Sequence, residues 1–280
     1  MHRIGAVMSE EYPARTLGER ESRLLSSLSA AGRTVFTIED ARAVLEASDT
    51  SVRKLLHRLH RKRWIKRLER GKYLILPLAA GPEAQWAEHE YLIAASLVEP
   101  YYLAYATALH YYGYSERPLN PVMVATTRRK CPVTIDDTTY RFVTQSPHKF
   151  FGYVPISLLE STVQMAEREK AIADGFDRPS LVGGVLEAAK GLWFGSEELD
   201  WEKLVTYTLR LRNQVAARRL GFWLELLALG DERLLSRLEE GRGHSYARLE
   251  PSGPDSGPRN ARWRLIVNIP DRQLLEWREH

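Results

Sequence analysis

The chain has 280 residues, 44% of them hydrophobic and 27% charged, with 40 Lys and Arg against 36 Asp and Glu and a single cysteine, Cys131. These numbers exclude an internal disulfide framework and a cysteine-based zinc site, and they describe an ordinary globular protein of about two domains. No apolar run approaches the ~20 residues of a membrane span, and the first residues lack the apolar centre of a signal peptide, so the expected location is the cytoplasm.

Charge is concentrated in one place. Residues 53–72, RKLLHRLHRKRWIKRLERGK, hold ten basic residues and one acidic residue, Glu69, which leaves 30 basic against 35 acidic residues elsewhere. A mildly acidic chain with one cationic patch carries the electrostatic footprint of a surface that meets nucleic-acid phosphates. A solvated helix face would account for the charge but not for its concentration.

In chain order, Leu17, Leu24, Leu25 and Leu28 predict a first helix over 17–31, stopped by Gly32. Residues 34–37 are β-branched or aromatic and read as a short strand. Thr37 and Asp40 form a variant capping box for a second helix, with Ala41, Val44 and Leu45 inward, ending near Ala47. Ser48-Asp49-Thr50 is a turn and cap, and a third helix starts at about Ser51. Its apolar stripe is Val52, Leu55, Leu56 and Leu59; its cationic stripe is Lys54, His57, Arg58 and Arg61. Residues 64–68 read as a strand, with Trp64 in the core. Residues 69–72 are a tight turn in which Gly71 takes a positive φ, and 73–76 is the returning strand. Three helices, a strand after the first, and a basic hairpin make the order of a winged helix-turn-helix. The expected DNA contacts are Thr50, Ser51, Arg53, Lys54, His57, Arg58, Arg61 and Lys62 from the third helix, with Lys66, Arg67, Arg70 and Lys72 from the wing.

Residues 77–82 (PLAAGP) suggest a junction, giving a domain over 1–78 and a second over 79–280. Helices are predicted over 83–98 and 103–112, strands over 121–126, 138–144, 150–156 and 161–165, and then mostly helix: one beginning near Glu167, followed by 180–193, 200–211 and 213–229, with Asp200 and Asn213 as caps. A loop over 251–260 precedes a last alternating strand, 263–269. The expectation is α+β: an N-terminal winged helix-turn-helix followed by a mixed α/β domain with a small sheet and a helical cluster.

Chemical motifs are scarce in this half. His89-Glu90 opens like a zinc-protease motif, but Ile93 stands where the second histidine belongs, and no phosphate-binding glycine loop or nucleophile elbow occurs. Asp136 and Asp137 followed later by Glu167-Arg168-Glu169-Lys170 suggest a nuclease-type Asp…Glu-x-Lys metal site, yet the Glu-x-Lys pair falls where a helix begins, where acids are favoured by the helix dipole. No metal or cofactor is expected. Tyr101, Tyr102, Tyr105, Tyr111 and Tyr112 could line a small-molecule sensor pocket in a ligand-responsive repressor, although such aromatics are more often core.

Two segments, Glu167-Arg-Glu-Lys-Ala-Ile-Ala-Asp-Gly-Phe-Asp-Arg-Pro followed by Gly183-Gly184, and Ala216-Ala-Arg-Arg-Leu-Gly-Phe-Trp-Leu-Glu225, together with residues 102–113 and 122–126, resemble the AbiEi family of antitoxins. The resemblance runs from about Leu24 to Leu229. It implies an autorepressor whose winged helix binds double-stranded DNA at an inverted-repeat operator in its own promoter. It also implies a C-terminal antitoxin domain that counteracts a nucleotidyltransferase-like toxin encoded in the same operon, without being an enzyme. The family's Glu-Arg-Ala-Ile-x-Asp segment stands here as Glu169-Lys170-Ala171-Ile172-Ala173-Asp174, with Lys170 as the departure. Arg218 and Arg219 are candidate surface contacts, or salt-bridge partners on a packed helix.

Overall fold

The structure, a computed structural model, describes residues 15–81, 88–118, 120–158, 161–240, 243 and 245–278. The chain divides into two compact units, Met1–His89 and Glu90–His280. The division falls beyond the expected junction at 78/79. Part of the helix expected over 83–98 lies outside the described residues.

The first unit runs α1 (Glu19–Ala30), β1 (Val35–Thr37), α2 (Ile38–Leu45), α3 (Asp49–Arg61), β2 (Ile65–Glu69) and β3 (Lys72–Ile75). Thr37 caps α2: its hydroxyl accepts the Asp40 N–H at 3.2 Å, and the Asp40 carboxylate accepts the Thr37 N–H at 2.8 Å. This reciprocal bonding satisfies two donors that the helix start would otherwise leave unpaired. The three strands form an antiparallel sheet in the order β1-β3-β2, and Gly71 turns the β2–β3 hairpin with φ +81°. The apolar stripes of the three helices meet in one core: Leu24, Leu25 and Leu28 from α1; Ile38, Ala41 and Leu45 from α2; Val52, Leu55, Leu56 and Leu59 from α3. Phe36 and Trp64 close it. This is a winged helix-turn-helix with β2 and β3 as the wing. Leu17 departs from expectation. It precedes α1, which begins two residues later, and it is exposed.

The second unit contains α4 (Glu90–Leu97), β4 (Tyr101–Leu103), α5 (Ala106–Tyr111), β5 (Val122–Thr126), β6 (Val133–Ile135), β7 (Thr138–Thr144), β8 (Tyr153–Leu158) and β9 (Ser161–Ala166). These are followed by α6 (Arg168–Asp177), α7 (Val185–Phe194), α8 (Trp201–Arg210), α9 (Gln214–Leu226), α10 (Glu232–Glu239), the two-residue strands β10 (Ala247–Arg248), β11 (Arg259–Asn260) and β12 (Leu265–Ile266), and α11 (Asp271–Leu275). The larger sheet is mixed, in the order β6-β7-β5-β4-β9-β8, with β5–β7 and β4–β9 parallel. Helix α6 is the hub of the helical cluster: Glu169 through Asp177 are all buried, and α5, α7, α8 and α9 pack against it.

Three expectations need correction here. Residues 103–112 are not one helix. Tyr101-Tyr102-Leu103 form an inner strand, and Tyr105, at φ +53°, turns the chain into α5. The aromatic side chains gain more from burial in a pleated core than from helix continuity. Residues 180–193 are also interrupted, because Gly183 and Gly184 take φ +100° and +116° and delay α7 to Val185. The alternating segment 263–269 contributes only Leu265–Ile266 to a small sheet.

Candidate nucleic-acid interface

Helix α3 is capped by the Ser48 hydroxyl, which accepts the Ser51 N–H at 3.4 Å. It begins at Asp49, two residues before the expected start, so Thr50 lies within the helix. At about 100° per residue, burying Val52, Leu55, Leu56 and Leu59 aims Thr50, Lys54, His57 and Arg61 directly away from the core. All four are exposed. Lys54, His57 and Arg61 form no side-chain hydrogen bond or ion pair among the described residues.

The flanks of the helix are engaged differently. On the side toward α1, Arg58 and Lys62 both reach Glu21, at 3.4 and 2.6 Å. The Glu21 carboxylate is nearly buried and also accepts the Gly18 N–H at 2.9 Å. Burial alone would raise its pKa, but the Gly18 amide, Lys62 and Arg58 together hold it below the usual carboxylate range. The expected cationic stripe is therefore corrected. Arg58 lies to one side and is tied to the body of the unit, and Thr50 takes its place in the outward row. On the other flank Arg53 pairs with Asp49 at 3.1 Å. Ser51 is exposed, with its hydroxyl 3.0 Å from that of Ser48.

On the wing, Arg67 and Arg70 are exposed, and Lys66 and Lys72 are half-buried. The Arg67 Nε donates to the Glu69 carbonyl at 3.3 Å, and its guanidinium forms no ion pair among the described residues. Lys72 pairs with Glu69 at 3.3 Å. Arg70, at the turn beside Gly71, has no partner among the described residues. Trp64 is buried beneath the Arg15 guanidinium, 4.0 Å from the ring centre, and is a core residue as expected. Arg15 in turn donates to the carbonyls of Leu76, Pro77 and Gly81, a lock at the wing's far end that no local pattern of residues signals. The twelve expected contact residues thus share one helix and its neighbouring hairpin, with Lys54, His57, Arg61 and Arg70 the least committed to the protein itself. A cationic helix of 13 residues with an adjoining β-arm can neutralise phosphates and present Arg and His to base edges.

Other candidate groups are consumed internally. Glu169 accepts the Asp200 N–H at 3.1 Å and pairs with Lys203 at 3.3 Å. Lys170 is fully buried against Asp174. Asp136 occupies a turn at φ +51°. No group of three or more His, Cys, Asp or Glu among the described residues could hold a metal ion. Tyr102 and Tyr105 are buried, and their hydroxyls meet the two ends of the Gln145 amide at 2.8 Å each. Tyr102 and Tyr105 are core residues, whereas Tyr101 and Tyr112 are half-buried and Tyr111 is exposed. Arg218 and Arg219, considered as surface contacts or salt-bridge residues, are neither. Both are buried, and they donate to the carbonyls of Ser245 and Arg264, and of Phe176, Arg248 and Leu249 respectively. Burial lowers the Arg219 pKa to about 10. Among the described residues, no helix is long and apolar enough to cross a membrane.

No family model matches the sequence, and no curated protein matches it. The chain is similar to the crystal structure of the RV2827C protein from Mycobacterium tuberculosis, at 18% identity and a TM-score of 0.67, over 98% of this chain and 99% of that one. At that identity the likeness establishes a shared fold across the whole chain.

Proposed function

We propose that this chain is a sequence-specific DNA-binding autorepressor and the antitoxin of a nucleotidyltransferase-like toxin encoded in the same operon. The DNA-binding part is carried by one observation: Lys54, His57 and Arg61 project outward in a row, with Arg70 at the turn of the neighbouring wing, and no acidic residue among the described ones pairs with them. The row is the part of the helix that enters the major groove, and the wing cations lie along phosphates. Cytoplasmic DNA, as an inverted repeat in the chain's own promoter, is the ligand this arrangement suits.

The antitoxin part is supported by the resemblance of residues 167–179, 183–184 and 216–225 to AbiEi proteins. Within those segments Glu167, Glu169, Lys170, Asp174, Asp177, Arg218 and Arg219 are engaged in internal contacts, which supports a role for the C-terminal unit as a binding or scaffolding body. The burial of Tyr102 and Tyr105 around Gln145 counts against a sensor pocket lined by those two side chains.

Engagement of about six to eight phosphates gives a slope of log affinity against log salt of about −5 to −7. Promoter-fragment binding measured across a salt series checks this, and a flat dependence removes the repressor reading. Co-expression with the adjacent toxin gene tests the other half. Restored growth is expected, and continued growth arrest in the presence of folded, DNA-binding protein refutes the antitoxin role.

A further inference from the structure

Two open cavities of about 350 and 580 Å3 in the second unit share Arg141, Ser180 and Leu181. They lie where β7 meets the segment that links α6 to α7. Arg117 lines the first and Arg178 the second. All three guanidiniums are exposed, and none forms an ion pair among the described residues. Arg117 is positioned without being neutralised: it donates to the Gly183 carbonyl at 3.2 Å. A side chain at position 183 would displace it, since a Cβ there would lie 2.2 Å from Arg117 Nη1.

Three acids of the surrounding segments, Asp177, Glu250 and Glu187, are already committed. Asp177 is the one carboxylate among the described lining residues. It accepts both contacts of the Lys149 ammonium at 2.8 Å and the Asn213 amide at 2.7 Å, and its side chain is only 3% exposed. Glu250 caps the start of α7 through the Val185 N–H at 2.8 Å. Glu187 pairs with Lys190 at 3.0 Å. Outside residues 53–72 the chain carries more acid than base, so three arginines around two adjoining cavities with no ion pair among the described residues run against the charge balance of the rest of the chain. Arginine's planar fork matches the oxygens of a phosphate group, and the cavities are in the size range of small-ligand sites.

We propose that the Arg117–Arg141–Arg178 groove binds a phosphate ester, either a free nucleotide or the phosphate of an oligonucleotide. This site is separate from the winged helix and does not depend on that reading. The test uses the full chain carrying Lys54→Ala and Arg61→Ala, so that the first site contributes little. Tripolyphosphate, ATP, and a short single-stranded oligothymidylate with and without a 5′-phosphate are titrated by calorimetry. At least one phosphate probe is expected to bind, and Arg141→Gln/Arg178→Gln is expected to weaken it roughly tenfold or more. Arg141→Lys should recover only part of the loss, because it restores charge without the fork.

Binding of ATP or tripolyphosphate identifies a free nucleotide as the ligand. Binding of the oligonucleotides alone identifies nucleic acid, and a preference for the 5′-phosphorylated strand places its terminal phosphate in the groove. The proposal is overturned by no binding of any probe at millimolar concentration, or by equal binding to the parent and the double variant. Unchanged thermal melting of the variants confirms that they fold. Promoter binding by the chain with and without Lys54→Ala/Arg61→Ala is measured separately, so failure of the winged-helix reading and failure of the groove are read from different titrations.

Discussion

At the level of single residues, Arg58 and Arg61 stand three positions apart on the same helix and have different work. Arg61 is outward and uncommitted. Arg58 reaches back to Glu21. Arg61→Ala is expected to weaken promoter binding by about 1–3 kcal/mol, the range for losing a base-reading arginine. Arg58→Ala should affect DNA binding less and thermal stability more, as measured by parallel binding and melting curves; equal losses of affinity in both variants would contradict this division. Glu21 also sets a pH dependence. Its folded pKa is depressed, so the stability it contributes is fully present above the unfolded value of about 4.3 and is lost as pH falls through the lower folded value. Urea midpoints followed from pH 7 to pH 3 should fall less steeply for Glu21→Gln than for the parent chain, and superimposable profiles would show that Glu21 is not responsible.

At the level of elements, α6 presents the main energetic puzzle. Lys170 and Asp174, one turn apart, form an ion pair with essentially no exposure, and burial pushes the Lys170 pKa down and the Asp174 pKa up. Aromatic rings of Phe151 and Tyr102 lie 4.9 and 5.6 Å from the ammonium. A pair of this kind is costly to break and adds little over apolar packing. Lys170→Met alone should destabilise the second unit by about 3–5 kcal/mol, whereas Lys170→Met/Asp174→Leu should recover most of that loss. Calorimetric unfolding of the two variants checks this, and a double variant no better than the single one would show that the pair contributes more than mutual compensation. The amphipathic stripes of α1 to α3, the caps at Thr37, Asp200 and Asn213, and Gly71 at the wing turn are local signals, and they were legible. The strand at Tyr101–Leu103 was not, because its partners β5 and β9 lie about 20 and 60 residues away in sequence and periodicity carries no information about them.

At the level of the whole molecule, the chain is two compact units with separate cores. A fragment ending at His89 is therefore expected to fold alone, with a helical circular-dichroism spectrum and promoter binding that remains sensitive to Arg61→Ala. A fragment that stays unfolded would mean that the first core needs the rest of the chain. The full-length likeness to the mycobacterial RV2827C structure at 18% identity fits this picture: spacing of apolar positions and turn residues can persist when most side chains have changed, because many sequences satisfy one packing pattern.

Composition and spacing alone specified the cationic helix and hairpin, since charge count, a 3.6-residue period and a glycine at a tight turn all act over a few neighbouring residues. Which cations are paired within the protein was settled by folding. Glu21 is remote in sequence from Arg58 and Lys62, as Asp177 is from Lys149, and only long-range packing brings such carboxylates into contact with some basic groups while leaving Lys54, His57, Arg61, Arg117, Arg141 and Arg178 without an ion pair among the described residues. Electrostatic availability depends on distance through space, and distance along the chain does not determine it.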